Sequence, residues 1–198
     1  MTDPETLKFY ADNAANYVQH GKGPSPQLAA FLSRLPPGAA ILELGTGNGR
    51  DALAMLDRGF VVTPSDASPE LAAEAEARLR VPVRIMTFVQ LEDRACFHGV
   101  WASAALLHAP RTELTEDLAR IHRALYPGGH LTASFKAGDG EGRDSFGRYY
   151  NYLTAEELRA HVAAAGPWTN IEISEHLGSG YDNLPTRWLW VHAVKSKT

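Results

Sequence analysis

Cysteine, long apolar runs and excess positive charge are all scarce in this sequence. Its 198 residues include one cysteine, Cys96, which excludes an intramolecular disulfide and any metal site built from several cysteines. No apolar run is long enough to span a bilayer, and the acidic first residues are unlike a signal peptide. The net charge of −4 gives no attraction to nucleic acid or to an anionic membrane. We therefore expect a cytoplasmic protein without nucleic-acid or membrane partners, in which Cys96 is buried as a small filler.

Two common catalytic signatures are missing as well. No G-x-S-x-G turn is present, so a hydrolase would have no recognisable nucleophile. No histidine pair has H-E-x-x-H or H-x-x-E-H spacing, and we expect no metal site. The composition is ordinary for a globular protein, with 44% hydrophobic and 21% charged residues. The length predicts a single domain over residues 1–198, with a helical N-terminal segment at 1–35 and a core at 39–198.

Strand and helix signals alternate through the core, which predicts an α/β protein with a mostly parallel sheet covered on both faces. The predicted strands lie at residues 41–44, 60–63, 83–86, 100–104, 130–135, 171–175 and 188–194. The short connection between the last two suits an antiparallel pair. Ser68-Pro69 and the Thr154-x-x-Glu157 box predict helix starts, and Trp101 is expected in the core. Residues 136–148 are predicted to form a long functional loop.

A glycine-rich turn after the first strand is the most informative feature. Gly45, Gly47 and Gly49 follow an apolar run that contains Glu43, and a helical segment comes next. This order is typical of a nucleotide-like ligand site, but the third glycine comes one residue earlier than in the dinucleotide fingerprint. Glu43 would repel a pyrophosphate, whereas it suits a ligand that carries an ammonium and a sulfonium. A glycine turn that only packs a helix on the sheet is the alternative.

Residues 41–51 resemble the first motif of the class I S-adenosylmethionine-dependent methyltransferases, and the resemblance extends over most of the chain. It implies a three-layer Rossmann-like fold with strand order 3-2-1-4-5-7-6 and strand 7 antiparallel. It also implies binding of S-adenosylmethionine, with S-adenosylhomocysteine as product. The implied cofactor residues are Glu43, Gly45, Thr46, Gly47, Asn48, Gly49, Arg50, Asp66, Ala67, Ser68, Gln90, Leu91 and Ala104. Asp66 would accept hydrogen bonds from the ribose hydroxyls; a helix-capping carboxylate is the alternative.

The resemblance also places the acceptor site. His108 follows the fourth strand and would take a proton from the acceptor, unless it only bonds the next loop. Tyr10 and Tyr17 resemble the aromatic residues of a lid that covers the sulfonium, with core packing as the alternative. Substrate contacts are expected from the charged and aromatic residues of the long loop, although a solvated loop would look the same: Lys136, Arg143, Arg148, Tyr149 and Tyr150.

The acceptor is expected to be a small molecule. The Asn/Asp-Pro-Pro-Tyr/Phe motif of enzymes that methylate base amino groups is absent after the fourth strand. Residues 42–51 and 106–108 are most similar to the tellurite-resistance-type (TehB-like) group, which does not define a substrate. We expect a monomer or a homodimer. The alternatives are a non-catalytic protein that senses S-adenosylmethionine and a nicotinamide-dependent oxidoreductase.

Overall fold

Strands and helices alternate along the chain, as the sequence pattern predicts. The computed structural model describes residues 3–17 and 23–197. The strands in these residues are β1 Ala40–Leu44, β2 Val61–Asp66, β3 Arg84–Ile85, β4 Phe97–Ala102, β5 Leu125–Lys136, β6 Glu141–Arg143, β7 Tyr149–Asn151, β8 Trp168–Ser179 and β9 Pro185–Lys195. The helices are α1 Pro4–Asp12, α2 Ala14–Tyr17, α3 Leu28–Leu32, α4 Arg50–Leu56, α5 Pro69–Leu79, α6 Arg111–Ala124 and α7 Ala155–Ala164.

A seven-stranded sheet forms the centre of the fold, in the order β3-β2-β1-β4-β5-β9-β8. Neighbouring strands from β3 to β5 run parallel, and β9 runs antiparallel to both β5 and β8. The strands β6 and β7 form a separate hairpin. When that hairpin is left out of the numbering, the order is the predicted 3-2-1-4-5-7-6 with strand 7 reversed. The Rossmann-like architecture is therefore confirmed, and the hairpin is an addition to it.

The central strands are apolar on both sides, and so helices cover both faces of the sheet. In β1, Leu42 and Leu44 pack in one core cluster with residues of α6 and α7, whereas Ile41 packs in another with residues of α3 and α4. In β4, Val100 and Trp101 divide between the same two clusters. Trp101 is fully buried, as predicted.

Two helices begin at the predicted capping residues. Ser68 Oγ accepts a hydrogen bond from the amide of Leu71 at 3.3 Å, and Pro69 occupies the first position of α5. At the start of α7, Thr154 Oγ1 accepts from the amide of Glu157, whose carboxylate accepts from the amide of Thr154. Both caps fix where the chain turns from the sheet edge into a helix.

Several strand boundaries differ from the prediction. β3 has two residues because it is an edge strand paired with β2 alone, and the chain then enters a 3₁₀ turn at Phe88–Gln90. β4 begins earlier than predicted, and β5 includes residues 127–129. β8 and β9 are much longer than predicted, because their mutual ladder needs no third strand and continues to the pair Ser179 and Pro185.

Cys96 is exposed, contrary to the prediction that it is buried. It lies just before β4, where its amide donates to the carbonyl of Ala124 and its thiol donates to the carbonyl of Arg94. The main chain at this position pairs with the end of α6, which leaves the side chain at the surface. The residue therefore has no part in the core.

The segment predicted as a long loop contains the ordered hairpin of β6 and β7. Asp144 holds its turn, because Oδ1 accepts hydrogen bonds from the amides of Phe146 and Arg148, both at 3.0 Å. Gly147 has φ +79° in the same turn. The hairpin gives residues 141–151 a defined surface beside the carboxyl edge of the sheet.

The helices α1, α2 and α3 precede the first strand. The predicted break between two N-terminal helical pieces, at residues 21–26, lies partly outside the described residues. Within the ranges that the structure describes, none of the helices combines the length and apolar character needed to cross a membrane.

Candidate active site

The glycine turn joins β1 to α4 at the carboxyl edge of the sheet. Gly45, Gly47 and Gly49 have φ of 72°, 54° and 72°, in the left-handed region that favours glycine. A Cβ added to Gly45 would lie 2.6 Å from Ala105 Cβ, and one added to Gly47 would lie 3.2 Å from Tyr17 Cε1. The bare main chain is therefore needed for the close approach of the Tyr17 ring and of the segment after β4.

Two buried carboxylates flank this turn. Glu43 lies near the end of β1, and Asp66 at the end of β2 accepts hydrogen bonds from the amides of Gly47 at 2.9 Å and Ser68 at 3.0 Å. Burial raises the pKa of the Glu43 carboxyl well above its ordinary value, and the Asp51 carboxylate adds to this effect. Burial also raises the pKa of Asp66, against the backbone amides that lower it.

Asp51, in the first turn of α4, is a site residue that the sequence analysis missed. Its Oδ1 accepts from the amide of Ser25 at 2.6 Å, and its Oδ2 accepts from Ser25 Oγ at 2.7 Å and Trp101 Nε1 at 2.9 Å. These bonds tie the glycine turn to the N-terminal segment and to β4. An acid directly after a glycine turn was the available signal, but its partners are 26 and 50 residues away in the chain.

Three other predicted cofactor residues line the cleft beside Glu43: Thr46, Asn48 and Arg50. Thr46 Oγ1 donates a short hydrogen bond to the Glu43 carboxylate. Asn48 Oδ1 accepts from the amide of Arg50 at 3.2 Å, and the Arg50 guanidinium donates to Ser25 Oγ at 3.3 Å. The turn therefore presents a wall of polar side chains with one cation at its outer end.

Four residues predicted to bind the cofactor have structural roles instead. Gly49 is the N-cap of α4, and Ser68 caps α5. The Gln90 carboxamide oxygen accepts from the amide and the hydroxyl of Thr87 at 2.8 and 3.0 Å, so it is committed to its own 3₁₀ turn. Leu91 is buried in the hydrophobic core. The expectation that Gln90 and Leu91 contact the cofactor is therefore corrected.

Met86 and Phe88, and not Gln90 and Leu91, line the cleft at this position. They line a cavity of about 50 Å³ together with Asp66, Ala67 and Leu71, at the end of β2 and β3. Apolar side chains and the Asp66 carboxylate meet in this cavity, an arrangement suited to a flat base joined to a sugar. Met86 is the last residue of the predicted third strand, and Phe88 lies two residues beyond it.

A second cavity of about 260 Å³ continues from the first. The two share the lining residues Tyr10, Tyr17, Ala104 and His108, so they are parts of one cleft. The far wall of the larger cavity comes from β5, the β6–β7 hairpin and the β8–β9 turn, through Lys136, Arg148, Tyr150, Gly180, Tyr181 and Trp188. Tyr17 and Tyr181 stack across the opening with ring centroids 5.4 Å apart.

His108 is buried between the N-terminal helix and the hairpin. Its Nδ1 lies 2.6 Å from the carbonyl oxygen of Tyr149, which can only accept, so Nδ1 carries the hydrogen and Nε2 accepts from the Tyr10 hydroxyl at 2.9 Å. Burial lowers the pKa of His108 to about 3. The imidazole is therefore neutral near pH 7, and in this arrangement neither nitrogen is available to take a proton from an acceptor.

Arg148 is the most buried cation of the cleft. Its guanidinium pairs with Asp144 Oδ2 at 2.7 Å, donates to the Tyr10 hydroxyl at 3.3 Å and lies 4.8 Å from the Phe9 ring centroid. The rings of three further aromatic residues surround it: Phe146, Tyr150 and Tyr181. Its charge is thus compensated within the protein, and it joins α1, the hairpin and the β8–β9 turn.

Arg143 and Tyr149 lie outside the cleft, contrary to the prediction that they contact substrate. The Arg143 guanidinium forms two hydrogen bonds with Asp3, at 2.7 and 3.0 Å, and pairs with Glu5. The Tyr149 hydroxyl donates to Glu141 in the hairpin. Both residues face away from the cavity because side chains alternate along the hairpin strands. They fasten α1 to the hairpin.

The two ends of the cleft differ in charge, and the charge at the glycine turn indicates which ligand fits there. Glu43, Asp51 and Asp66 bring three buried carboxylates to the glycine turn, against the half-exposed Arg50. A ligand with an ammonium and a sulfonium would compensate this excess, whereas a pyrophosphate would increase it. The residues present at the glycine turn therefore fit S-adenosylmethionine.

Comparison with known proteins agrees with this assignment. A family model described as a methyltransferase domain matches residues 41–129. The protein-L-isoaspartate O-methyltransferase of Gloeobacter violaceus is 40% identical over 139 residues, which cover 65% of this chain and 67% of the relative. The malonyl-[acyl-carrier protein] O-methyltransferase of Enterobacter lignolyticus is 28% identical over 130 residues, which cover 64% of this chain but 51% of the relative.

Solved structures show the same relation. The 1,6-didemethyltoxoflavin-N1-methyltransferase of Burkholderia thailandensis, crystallised with 1,6-didemethyltoxoflavin and S-adenosylhomocysteine, has a TM-score of 0.76 and 26% identity, over 94% of this chain and 84% of the other. The phosphoethanolamine N-methyltransferase 2 of Haemonchus contortus, with a TM-score of 0.71 and 20% identity over 97% of this chain and 56% of the other, shares the fold. The chain belongs to the class I S-adenosylmethionine-dependent methyltransferases, and S-adenosylmethionine is its cofactor.

Proposed function

We propose that the protein transfers a methyl group to a small molecule held at the far wall of the 260 Å³ cavity. The observation that carries the proposal is that this one cavity reaches from the glycine turn, proposed to hold the cofactor, to Lys136 and Tyr150. Tyr10, Tyr17 and Tyr181 line it from α1, α2 and the β8–β9 turn, so aromatic side chains bound the space beside the cofactor. A concave cavity of this size suits a compact acceptor better than a folded protein.

The residues of the cleft have distinct proposed roles. Asp66 binds the ribose, the amides and side chains of the glycine turn hold the amino-acid end, and the turn's glycines let the ligand approach the main chain. The bound cofactor supplies a methyl group that is already activated on sulfur, so the protein has to orient the acceptor and exclude water. We assign His108 to positioning, because it orients the Tyr10 hydroxyl and fastens α1 over the cleft.

The N-terminal segment, residues 1–35, is proposed to act as the lid of this cleft. Arg143, Thr6 and Arg148 anchor α1 to the hairpin: the amide of Tyr149 donates to Thr6 Oγ1 at 2.8 Å, and Arg143 pairs with Asp3. Ser25 anchors the segment before α3 through Asp51. Groups of the acceptor half thus hold α1, and Asp51 of the cofactor half holds the other end of the lid.

Titration calorimetry with S-adenosylmethionine tests the cofactor site. Asp66→Asn keeps the size of the side chain but removes a charged hydrogen-bond acceptor worth about 1.5–3 kcal/mol, so Kd should rise about ten- to a hundredfold. The control is Asp93→Asn, a surface acid paired with Arg84 at 2.9 Å, which should leave Kd unchanged. Equal affinity of the Asp66 variant and the native protein would contradict the site.

Release of S-adenosylhomocysteine tests the class of acceptor. The native protein is offered a panel of small acids, amines, phenols and thiols, and in parallel an isoaspartyl peptide and unfractionated protein, because one relative is a protein methyltransferase. Turnover on small molecules supports the proposal. Turnover only on the peptide or on protein would overturn it while leaving the cofactor assignment intact.

A further inference from the structure

Lys136 ends β5 at the wall of the larger cavity, on the acceptor side. It is directly opposite Trp188 of β9 in the antiparallel ladder, so both side chains project from the same face of the sheet. Both line the cavity. Lys136 is only 7% exposed, which is unusual for a lysine.

The Lys136 ammonium has no anionic partner among the described residues. Nζ lies 4.1 Å from the centroid of the Tyr150 ring, and the structure records neither an ion pair nor a hydrogen bond for it within residues 3–17 and 23–197. Asp182 and Asp144 are the nearest acids that affect it, but both lie beyond ion-pair distance. Asp182 instead accepts from the amide of Leu184 at 3.1 Å, and Asp144 pairs with Arg148.

The turn between β8 and β9 closes over the ammonium. A Cβ added to Gly180 would lie 3.3 Å from Nζ, so the main chain of the turn passes directly beside it. Asp182 Oδ1 would lie 2.7 Å from the same Cβ, but it forms no ion pair with Nζ. With the Tyr150 ring on one side and this turn on the other, the cavity is the side from which a further oxygen anion can reach Nζ. An ammonium has three donors, and a π face does not satisfy them.

The other two cations predicted for this wall are already neutralised. Arg148 is paired with Asp144 at 2.7 Å, and Arg143 with Asp3 at 2.7 Å outside the cavity. A buried cation without an anion is unfavourable, and burial accordingly lowers the pKa of Lys136. A ligand that brings one negative charge to Nζ would remove this cost, whereas a dianion would leave one charge unmatched.

The surrounding surfaces are aromatic. Tyr150 is buried, stacks on Tyr152 with ring centroids 5.7 Å apart, and packs against His108 at 4.7 Å. Trp188 lies beside Lys136 across the ladder. Rigid aromatic walls next to a single ammonium are suited to a flat ring that carries one carboxylate.

We propose that the acceptor is a small aromatic carboxylic acid, bound as its monoanion with the carboxylate on Lys136 and the ring beside Tyr150 and Trp188. This inference rests on the proposed small-molecule methyltransferase function and names its substrate class. Lys136 is then the residue that selects acids over neutral analogues. The cofactor half of the cleft takes no part in that selection.

Calorimetry on the protein saturated with S-adenosylhomocysteine tests the inference directly. The probes are benzoate, nicotinate and indole-3-acetate, each compared with its primary amide, benzamide, nicotinamide and indole-3-acetamide. We expect at least one acid to bind about tenfold or more tightly than its amide, as a charge-assisted hydrogen bond predicts. Lys136→Met should abolish that preference, and Lys136→Arg should retain most of it.

Lys197→Met is the matched control, because Lys197 is an exposed lysine past the end of β9 and should not change either affinity. The affinity for S-adenosylmethionine should be the same in all variants, which also shows that each one is folded. Equal binding of acids and amides, absence of binding by every acid, or a preference that survives in Lys136→Met would overturn the inference. Turnover of neutral acceptors in those cases would leave the small-molecule function standing.

Discussion

The cofactor end and the acceptor end of the cleft are built in opposite ways. Glu43, Asp66 and the glycine turn form the cofactor end. They lie at strand ends within residues 43–66, and the two carboxyl side chains carry negative charge. The acceptor end gathers side chains from α1, β5, the hairpin and the β8–β9 turn, and its buried charged groups are Lys136 and Arg148. Local chain geometry creates the first site, whereas long-range packing creates the second.

This contrast has an electrostatic consequence. The three acids of the cofactor end outnumber Arg50 until a positively charged ligand arrives, and Lys136 of the acceptor end has no ion pair within the described residues. The two imbalances have opposite sign, so each half favours a different ligand in the same cleft. Variants that alter one half while leaving the other unchanged are the most direct way to examine the difference.

The largest expected effect concerns the acceptor half. Arg148→Met leaves the buried Asp144 carboxylate without its partner, so the free energy of unfolding should fall by about 3 kcal/mol. Arg187→Met is the control: it breaks an arginine–carboxylate pair with Glu175 at 2.6 Å that is exposed, and it should cost less than about 1 kcal/mol. Urea denaturation measures both, and equal losses would show that burial of the pair is unimportant.

A smaller effect is expected in the cofactor half. Gly45 and Gly59 have φ of 72° and 81°, so an alanine at either position is strained by about 1 kcal/mol. Only at Gly45 would the new Cβ meet another atom, Ala105 Cβ at 2.6 Å, which adds about 1 kcal/mol. Gly45→Ala should therefore unfold at lower temperature than Gly59→Ala and should bind S-adenosylmethionine more weakly. Identical melting curves and affinities would contradict the crowding of the turn.

The smallest expected effect is the number of protons released when S-adenosylmethionine binds. Burial raises the pKa of Glu43 and Asp66 in the free protein, so these carboxyls hold protons at higher pH than usual. A cationic ligand favours the ionised form, and so binding of S-adenosylmethionine should release protons and strengthen as pH rises through the raised pKa values. Calorimetry in buffers of different ionisation enthalpy measures this release. Glu43→Gln should reduce it, and a binding heat independent of buffer would contradict the linkage.

Most of the fold and the cofactor half could be predicted from the sequence because their signals are local. The alternation of strands and helices, the Ser68 and Thr154 caps, and the spacing from the glycine turn to Asp66 are all readable within short windows. Gln90 shows the limit: the resemblance implies a cofactor contact at this position, but the carboxamide caps its own turn. Strand lengths were also missed, because the β8–β9 ladder depends on pairing and not on either segment alone.

The side-chain contacts of the acceptor half could not be predicted from the sequence, for a physical reason. Arg143 and Arg148 lie five residues apart and read alike in the sequence, yet one faces solvent and the other is buried among aromatic rings. The β6–β7 hairpin, which the sequence pattern does not predict, determines the direction of both arginine side chains. Asp51 was likewise unremarkable until its distant partners, Ser25 and Trp101, came together around it.

The β5–β9 register has a consequence for how such an enzyme changes over time. Lys136 and Trp188 sit at the last pair of that ladder, next to a turn that belongs to no helix and supports no part of the central core. Mutations there can alter which compound is modified while the cofactor machinery and the folding of the sheet are inherited unchanged. A change of substrate within one scaffold then needs only a few residues at the end of the β5–β9 ladder and in the turn beside it.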